Sequence, residues 1–332
     1  MIYIYWISII ALIINQKISL FNKIAYMFAS GVLMLIAIFH VNDSDYLAYI
    51  NIYQRILDNF DIVSFREEVG FLLVLKGLSF VFDEYFGAAA AIYFISISIT
   101  CWFIYRYSTN PCLSLVLYAF YPFFYDIVQI RNLLGFSLIL LAIHFMFTNK
   151  RNIAWLLSLA AIFVHIGMII YVAIILLYFF RNRPLLKGSL LALTIMGFLL
   201  AINLESRLES YYYHELRYGW IIGIVSYVLL LLALYAHNKG NSYNDDLYKF
   251  TLYALLCCSI VLPSYYFSLA GARIIRNLSL LVFINVADIK LTCNMKWRDA
   301  LAIVCLFLYI AISLSTGNYV EERTIILDHI EL

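Results

Sequence analysis

Residues 152–180, NIAWLLSLAAIFVHIGMIIYVAIILLYFF, run for 29 residues without a formal charge. As one straight helix they would be about 43 Å long. The hydrocarbon core of a bilayer is only about 30 Å thick. Both ends of the run are basic, with Lys150 and Arg151 before it and Arg181, Arg183 and Lys187 after it. Basic connections favour the cytoplasmic side. The run therefore reads as two half-helices that meet near His165 and Gly167 and return the chain to the side it started from.

The rest of the chain agrees. Of its 332 residues, 65% are apolar and 13% charged, and the mean hydropathy is +0.90. A soluble domain has about 25% charged residues. Further spans are expected at 1–15, 22–40, 87–105, 112–128, 133–148, 188–203, 219–236, 248–267, 273–289 and 299–315. The expected fold is all-α: a polytopic helical membrane protein with about 10–12 membrane helices, short or re-entrant segments included. Residues 1–315 read as a single transmembrane domain, and 316–332 as a short polar tail. The N-terminus lacks the basic region and small-residue cleavage site of a removable signal, and Lys17 and Lys23 set the first span with its N-terminus outside. Residues 69–83, apolar but for Lys76, must then be interfacial or re-entrant for the remaining basic connections to fall inside.

Outside lie the 41–68 connection, the turn at Gln129–Asn132, the 204–218 connection, Ser268–Arg273 and the acidic tail from Glu321. Residues 41–68 carry Tyr46, Tyr49, Ile50, Tyr53, Ile56, Leu57 and Phe60 at helical spacing among charged residues, which predicts an amphipathic helix at the outer interface. Residues 204–218 hold Tyr211, Tyr212, Tyr213, Arg217 and Tyr218. The net charge of +2 is scattered, with no basic arm or phosphate loop, so nucleic acid is not an expected partner. The six cysteines lie mostly in apolar runs with no Cys-x-x-Cys pair, and the histidines are dispersed. Neither a metal nor a cofactor is expected.

Polar residues are most informative where they are most costly. Between Cys112 and Phe147 the only charges are Asp126 and Arg131. A guanidinium in or near a bilayer costs about 2.5–3.5 kcal/mol even on the lenient insertion scale. Gln129-Ile130-Arg131-Asn132 therefore reads in one of two ways. It is a donor cluster for an anion, with a planar fork suited to phosphate oxygens, or an outer turn whose arginine snorkels to water beside Asp126. Arg273 and Arg276 share a helix face at i, i+3, either to bind a pyrophosphate or to anchor the helix at the interface. Glu68, with a pKa raised by partial burial, is a candidate base for a sugar hydroxyl; its plain alternative is a solvated charge beside Arg66. Asp45 and Tyr49, at i, i+4, either hydrogen-bond a sugar or decorate an interfacial helix. His165 is a base at the break of two half-helices or a core histidine. The tyrosines at 211–213 stack on sugars or belong to an interfacial belt.

The chain resembles the Wzy-type polysaccharide repeat-unit polymerases, in particular their EpsG-like branch. Asp45 with Tyr49 and Tyr53 is similar to that family's Asp/Tyr stretch. Glu68-Val69-Gly70-Phe71 is similar to its Glu-Pro-Gly-aromatic element, with valine in place of the proline. Gln129-Ile130-Arg131 resembles its Gln-x-Arg motif, Phe163-x-His165 its Phe-His element, and Arg273-Ile274 its late arginine motif, although Asn277 stands where an aromatic residue is expected. The resemblance implies an inner-membrane enzyme that joins undecaprenyl-pyrophosphate-linked oligosaccharides at the periplasmic face without a metal. Arg131, Arg273, Arg276, Gln129 and Asn132 would hold pyrophosphate. Glu68, Asp45 and His165 are candidate bases. Tyr49, Tyr211, Tyr212, Tyr213 and Arg217 would meet sugar. Membrane lipid and a chain-length regulator are the other partners implied. The competing readings are a flippase for the same lipid-linked substrate and an O-antigen ligase; a membrane O-acetyltransferase fits less well. A flippase would show related halves or charges through several spans, whereas here the distinctive polar residues gather near one face.

Overall fold

The computed structural model describes residues 19–40, 44–58, 60, 68–180, 219–237, 245–258, 270–287 and 297–315. Among them are thirteen α-helices and no strand: α1 Ser19–Ile38, α2 Ser44–Asp58, α3 Val69–Leu78, α4 Tyr85–Tyr107, α5 Pro111–Phe120, α6 Pro122–Val128, α7 Ile130–Phe147, α8 Arg151–Val164, α9 Ile169–Phe179, α10 Gly219–His237, α11 Asp245–Cys258, α12 Ala270–Val286 and α13 Trp297–Ser315. The all-α expectation holds. By length and composition α4 and α7 can each cross a bilayer, and the bent pair α5–α6 makes a third span if counted as one. The expected spans 1–15 and 188–203 lie outside the described residues.

The 29-residue run breaks where expected. Helix α8 ends at Val164, and His165 is extended at φ −152°, ψ 116°. A single 3₁₀ turn, Ile166–Met168, follows before α9. The expected span 112–128 is not one straight helix. Pro122 has no N–H to donate, so it can sit only at the first position of a new helix, and the chain bends by 57° between α5 and α6. Asn110 caps α5 by accepting from the Leu113 N–H at 3.2 Å. Helix α3 has ten residues, about 15 Å, which is too short to cross a bilayer by itself. Its Lys76 ammonium lies over the rings of Phe60 and Phe80, at 5.7 and 5.5 Å.

The helices pack as two compact units, one made of residues 1–106, 110–168 and 318–332, the other of 107–109 and 169–317. In the first, α7 and α8 form an antiparallel hairpin. Its turn ends α7 in a Schellman motif: Asn149 is left-handed at φ 59°, its N–H bonds the Met146 carbonyl, and the Lys150 N–H bonds the Phe145 carbonyl. Asparagine tolerates that conformation better than most residues. Helix α2 docks on the unit through its aromatic stripe. Tyr46, Tyr49 and Tyr53 meet the Tyr85 ring at 5.1, 6.1 and 5.9 Å, while Leu57 stays exposed. Helix α3 lies against both α2 and α8. In the second unit, α12 is buried along most of its length. Tyr171 on α9 donates to its Ile274 carbonyl at 3.1 Å, and the Asn285 amide donates to Thr251 on α11 at 3.0 Å.

Candidate functional site

The hairpin brings two of the sequence candidates together. From Arg131 to Phe147 is about 24 Å of helix, and from Arg151 to Val164 about 20 Å. With a three-residue turn between them, the start of α7 comes level with the end of α8. Arg131, in the first turn of α7, therefore faces the His165 corner. Gly135, one turn on from Arg131, is the small residue that admits this corner: a Cβ there would lie 2.9 Å from Met168 Cγ and 3.4 Å from His165 Cβ.

Glu68 arrives from a third element. It is the N-cap residue of α3, extended at φ −65°, ψ 130°, and its side chain makes no cap bond to its own helix. Gly70 lets α3 touch the end of α8, for a Cβ on Gly70 would lie 2.4 Å from the Phe163 carbonyl carbon and 2.5 Å from its oxygen. That contact is backbone against helix, and it places Glu68 beside His165. The Glu-x-Gly and Phe-x-His elements are thus two halves of one junction. Gly70→Ala is expected to destabilise the fold by about 1–3 kcal/mol through overpacking. The gain in helix propensity, about 1 kcal/mol, does not offset a clash with backbone. Gly77→Ala, where nothing lies within 4 Å, is the control. Thermal unfolding in detergent compares the two, and equal melting points would remove the junction argument.

The resulting cluster has four side chains from four places. Arg131 Nη1 donates to Glu68 Oε2 at 2.5 Å, and Arg131 Nε donates to the Tyr49 hydroxyl at 2.7 Å. The guanidinium also lies 5.6 Å from the centre of the Tyr49 ring. His165 Nδ1 is 2.9 Å from Glu68 Oε1. Tyr49 itself is only 5% exposed, with its ring edge-on to Phe71 at 5.4 Å. The side chains of Arg131, Glu68 and His165 are 31%, 20% and 16% exposed, so the cluster is partly buried and still reachable.

The electrostatics of Glu68 run opposite to the sequence expectation. Burial pushes its pKa up, but the hydrogen bond from His165 and the Arg131 charge outweigh it and hold the carboxyl at about 2. A group so acidic accepts a proton from a sugar hydroxyl poorly. Being ionised, it is acceptor-only, so the proton shared with the imidazole belongs to Nδ1. In the neutral form of the ring, His165 Nε2 is then the unprotonated nitrogen. It has no hydrogen-bond partner among the described residues, and a Cβ on Gly167 would come within 3.0 Å of it. Arg131 likewise keeps donors in reserve: of the five N–H bonds of a guanidinium, Tyr49 and Glu68 take one each.

The remaining candidates fall elsewhere. Gln129 joins α6 to α7, its N–H donating to Tyr125 O and its carbonyl accepting from the Leu133 N–H. Asn132 is buried. Asp126, the nearest carboxylate in sequence, accepts from the Tyr118 hydroxyl at 3.1 Å, and the carboxylate that pairs with Arg131 is Glu68 instead. Asp45 sits in the first turn of α2 with its side chain outside the described set. Arg276 belongs to the second unit, where it is 4% exposed on α12; Arg273 opens the same helix, its side chain also outside the described set. Tyr211, Tyr212, Tyr213 and Arg217 lie outside the described residues. Sequence reasoning passed over Gly135 and Tyr85. The one signal for Gly135 was its place at i+4 from Arg131, on the same face.

The sequence model of the EpsG family matches residues 23–322, a span that contains the whole cluster. No curated protein and no solved structure matches the chain.

Proposed function

This chain belongs to the EpsG family of polysaccharide-polymerase-like membrane proteins, and from that premise we propose that it joins undecaprenyl-pyrophosphate-linked oligosaccharide repeat units at the periplasmic face of the bacterial inner membrane. The observation that carries the reading is the convergence of Arg131, Glu68 and His165, drawn from positions up to 97 residues apart, in one partly exposed cluster. Glycosyl transfer from a polyprenyl pyrophosphate needs a cation for the departing diphosphate and an acceptor for one proton. Arg131 and His165 are the residues whose free groups suit those two tasks.

The donor is the growing chain on undecaprenyl pyrophosphate. The non-reducing-end hydroxyl of a new lipid-linked repeat attacks the anomeric carbon. The new carbon–oxygen bond forms as the bond to the diphosphate breaks, and the electron pair leaves with undecaprenyl pyrophosphate. The hydroxyl proton passes to His165 Nε2. Arg131 binds the diphosphate through its remaining N–H groups, supplying charge stabilisation that is in place before the reaction. Gln129 and Asn132 are proposed as further donors to the diphosphate. Asp45 is retained as a second candidate base near the acceptor. Arg217 and the tyrosines at 211–213 are proposed to hold sugar.

Purified protein in nanodiscs, given one defined lipid-linked repeat, is the test. The expected product is a ladder of lipid-linked oligomers with release of undecaprenyl pyrophosphate; recovery of the single-unit lipid alone overturns the reading. In cells, deletion of the gene is expected to leave single repeat units on lipid A. Loss of all repeats would instead indicate a ligase or a flippase.

A further inference from the structure

We infer that Glu68 is a positioning residue, a single carboxylate that fixes the imidazole of His165 through one oxygen and the guanidinium of Arg131 through the other, with the Tyr49 hydroxyl as a second stay on the guanidinium. The inference rests on the proposed glycosyl transfer for its purpose, but its geometry stands independently. Oε1 faces His165 Nδ1 at 2.9 Å and Oε2 faces Arg131 Nη1 at 2.5 Å. Neither oxygen makes a side-chain cap to α3, although that helix begins at the next residue. A carboxylate at that place ordinarily turns back to the open N–H groups. Here it pairs instead with two partners that arrive from α7 and from the break after α8.

The consequence for chemistry is a choice of tautomer. A neutral imidazole carries one proton, and the nitrogen that holds it is set by the hydrogen bond the other groups offer. The acceptor-only carboxylate puts the proton on Nδ1, so the lone pair is on Nε2, the nitrogen left uncovered beside Gly167. The consequence for binding is a choice of guanidinium edge. With Nε given to Tyr49 and one Nη1 hydrogen given to Glu68, an incoming diphosphate is met by Nη2 and the remaining Nη1 hydrogen. Tyr49 takes part from a buried position, its ring held by Phe71 and Tyr85, so its contribution is to aim the arginine and not to stack on a sugar. One carboxylate thus aligns the proton acceptor with the anion-binding group.

Glu68→Gln separates these roles. The amide oxygen of glutamine can accept from Arg131, where the bond is charge-assisted; its NH2 group then faces His165 and forces Nδ1 to act as acceptor. The imidazole proton moves to Nε2 and the lone pair is lost from the working side. The expected result is a fall in kcat of about 100-fold or more, with the KM for the lipid-linked donor within about threefold of wild type. Tyr49→Phe keeps the ring and removes one hydrogen bond to the guanidinium, so it is expected to raise donor KM about fivefold with kcat little changed. A purely structural glutamate would lower the yield of folded protein and leave kcat and KM of the folded fraction alone.

The direct readout is ¹⁵N NMR of histidine-labelled full-length protein in nanodiscs, with the His165 signal assigned by its loss in His165→Asn. At a pH where the ring is neutral, wild type is expected to show the Nδ1–H tautomer and Glu68→Gln the Nε2–H tautomer. Wild-type protein in the Nε2–H form overturns the inference even if Glu68→Gln does not fold, and so does a Glu68→Gln protein with unchanged tautomer and kcat. This measurement consumes no substrate. A failure of polymerisation with the expected tautomers would count against the proposed activity and not against the positioning role.

Discussion

Arg131→Lys is expected to lower polymerisation by about 100- to 1,000-fold, the cost of removing one fixed donor from the stabilisation of a developing anion. The charge survives this change, so the Glu68 carboxylate keeps a cationic partner and the fold is expected to hold. What disappears is the fork. A guanidinium serves Tyr49 and Glu68 at 2.7 and 2.5 Å and still has three N–H bonds for a ligand. An ammonium has three in all, on a single flexible point that cannot hold two phosphate oxygens in one plane. After Glu68 and Tyr49 are satisfied, one is left. The measurement is the length distribution of lipid-linked product, from purified protein and from a deletion strain carrying the variant. Wild-type length from Arg131→Lys would remove bidentate phosphate recognition at this residue.

His165→Asn is expected to cost about 100- to 10,000-fold in kcat, the range over which a positioned general base contributes. Asparagine is chosen because its amide can still donate to Glu68 Oε1, which preserves the pairing at the corner between α8 and the 3₁₀ turn. The backbone there is already extended, so no helix is interrupted by the change. The nitrogen that would accept the hydroxyl proton is gone. Donor KM is expected to stay near wild type, because Arg131 and Tyr49 are untouched. Full turnover in this variant would transfer the proton-accepting role to Asp45 or to solvent.

The fold was legible in the sequence wherever length alone decided. A 29-residue uncharged run is too long for one crossing, and the break duly falls at His165 and Gly167. The amphipathic stripe of residues 46–56 announced α2, and its tyrosines are the residues that dock it. The bend at Pro122 was missed because the apolar run passes straight through it, although a proline there cannot continue a helix. The site was legible as residue types and as short motifs, but not as an assembly. Nearness in sequence relates Arg131 to Asp126; nothing local relates it to Glu68, 63 residues away. The same gap explains the sign of the Glu68 shift. Its burial could be read from apolar neighbours, whereas the two partners that overcome burial come from α7 and from beyond α8. Tyr49 shares that history: i, i+4 placement beside Asp45 suggested a sugar contact, and only the long-range hydrogen bond reveals its hold on the arginine.

The α7–α8 hairpin acts as a ruler. Its two arms set how far back along the molecule His165 returns toward Arg131, and each residue of an arm contributes about 1.5 Å of reach and 100° of rotation. Apolar side chains on the arms are therefore exchangeable within the limits of volume, while the number of residues between Arg131 and His165 is not. Adding or deleting one would swing the imidazole to another side of its helix and part it from Glu68, with every residue of the cluster still present.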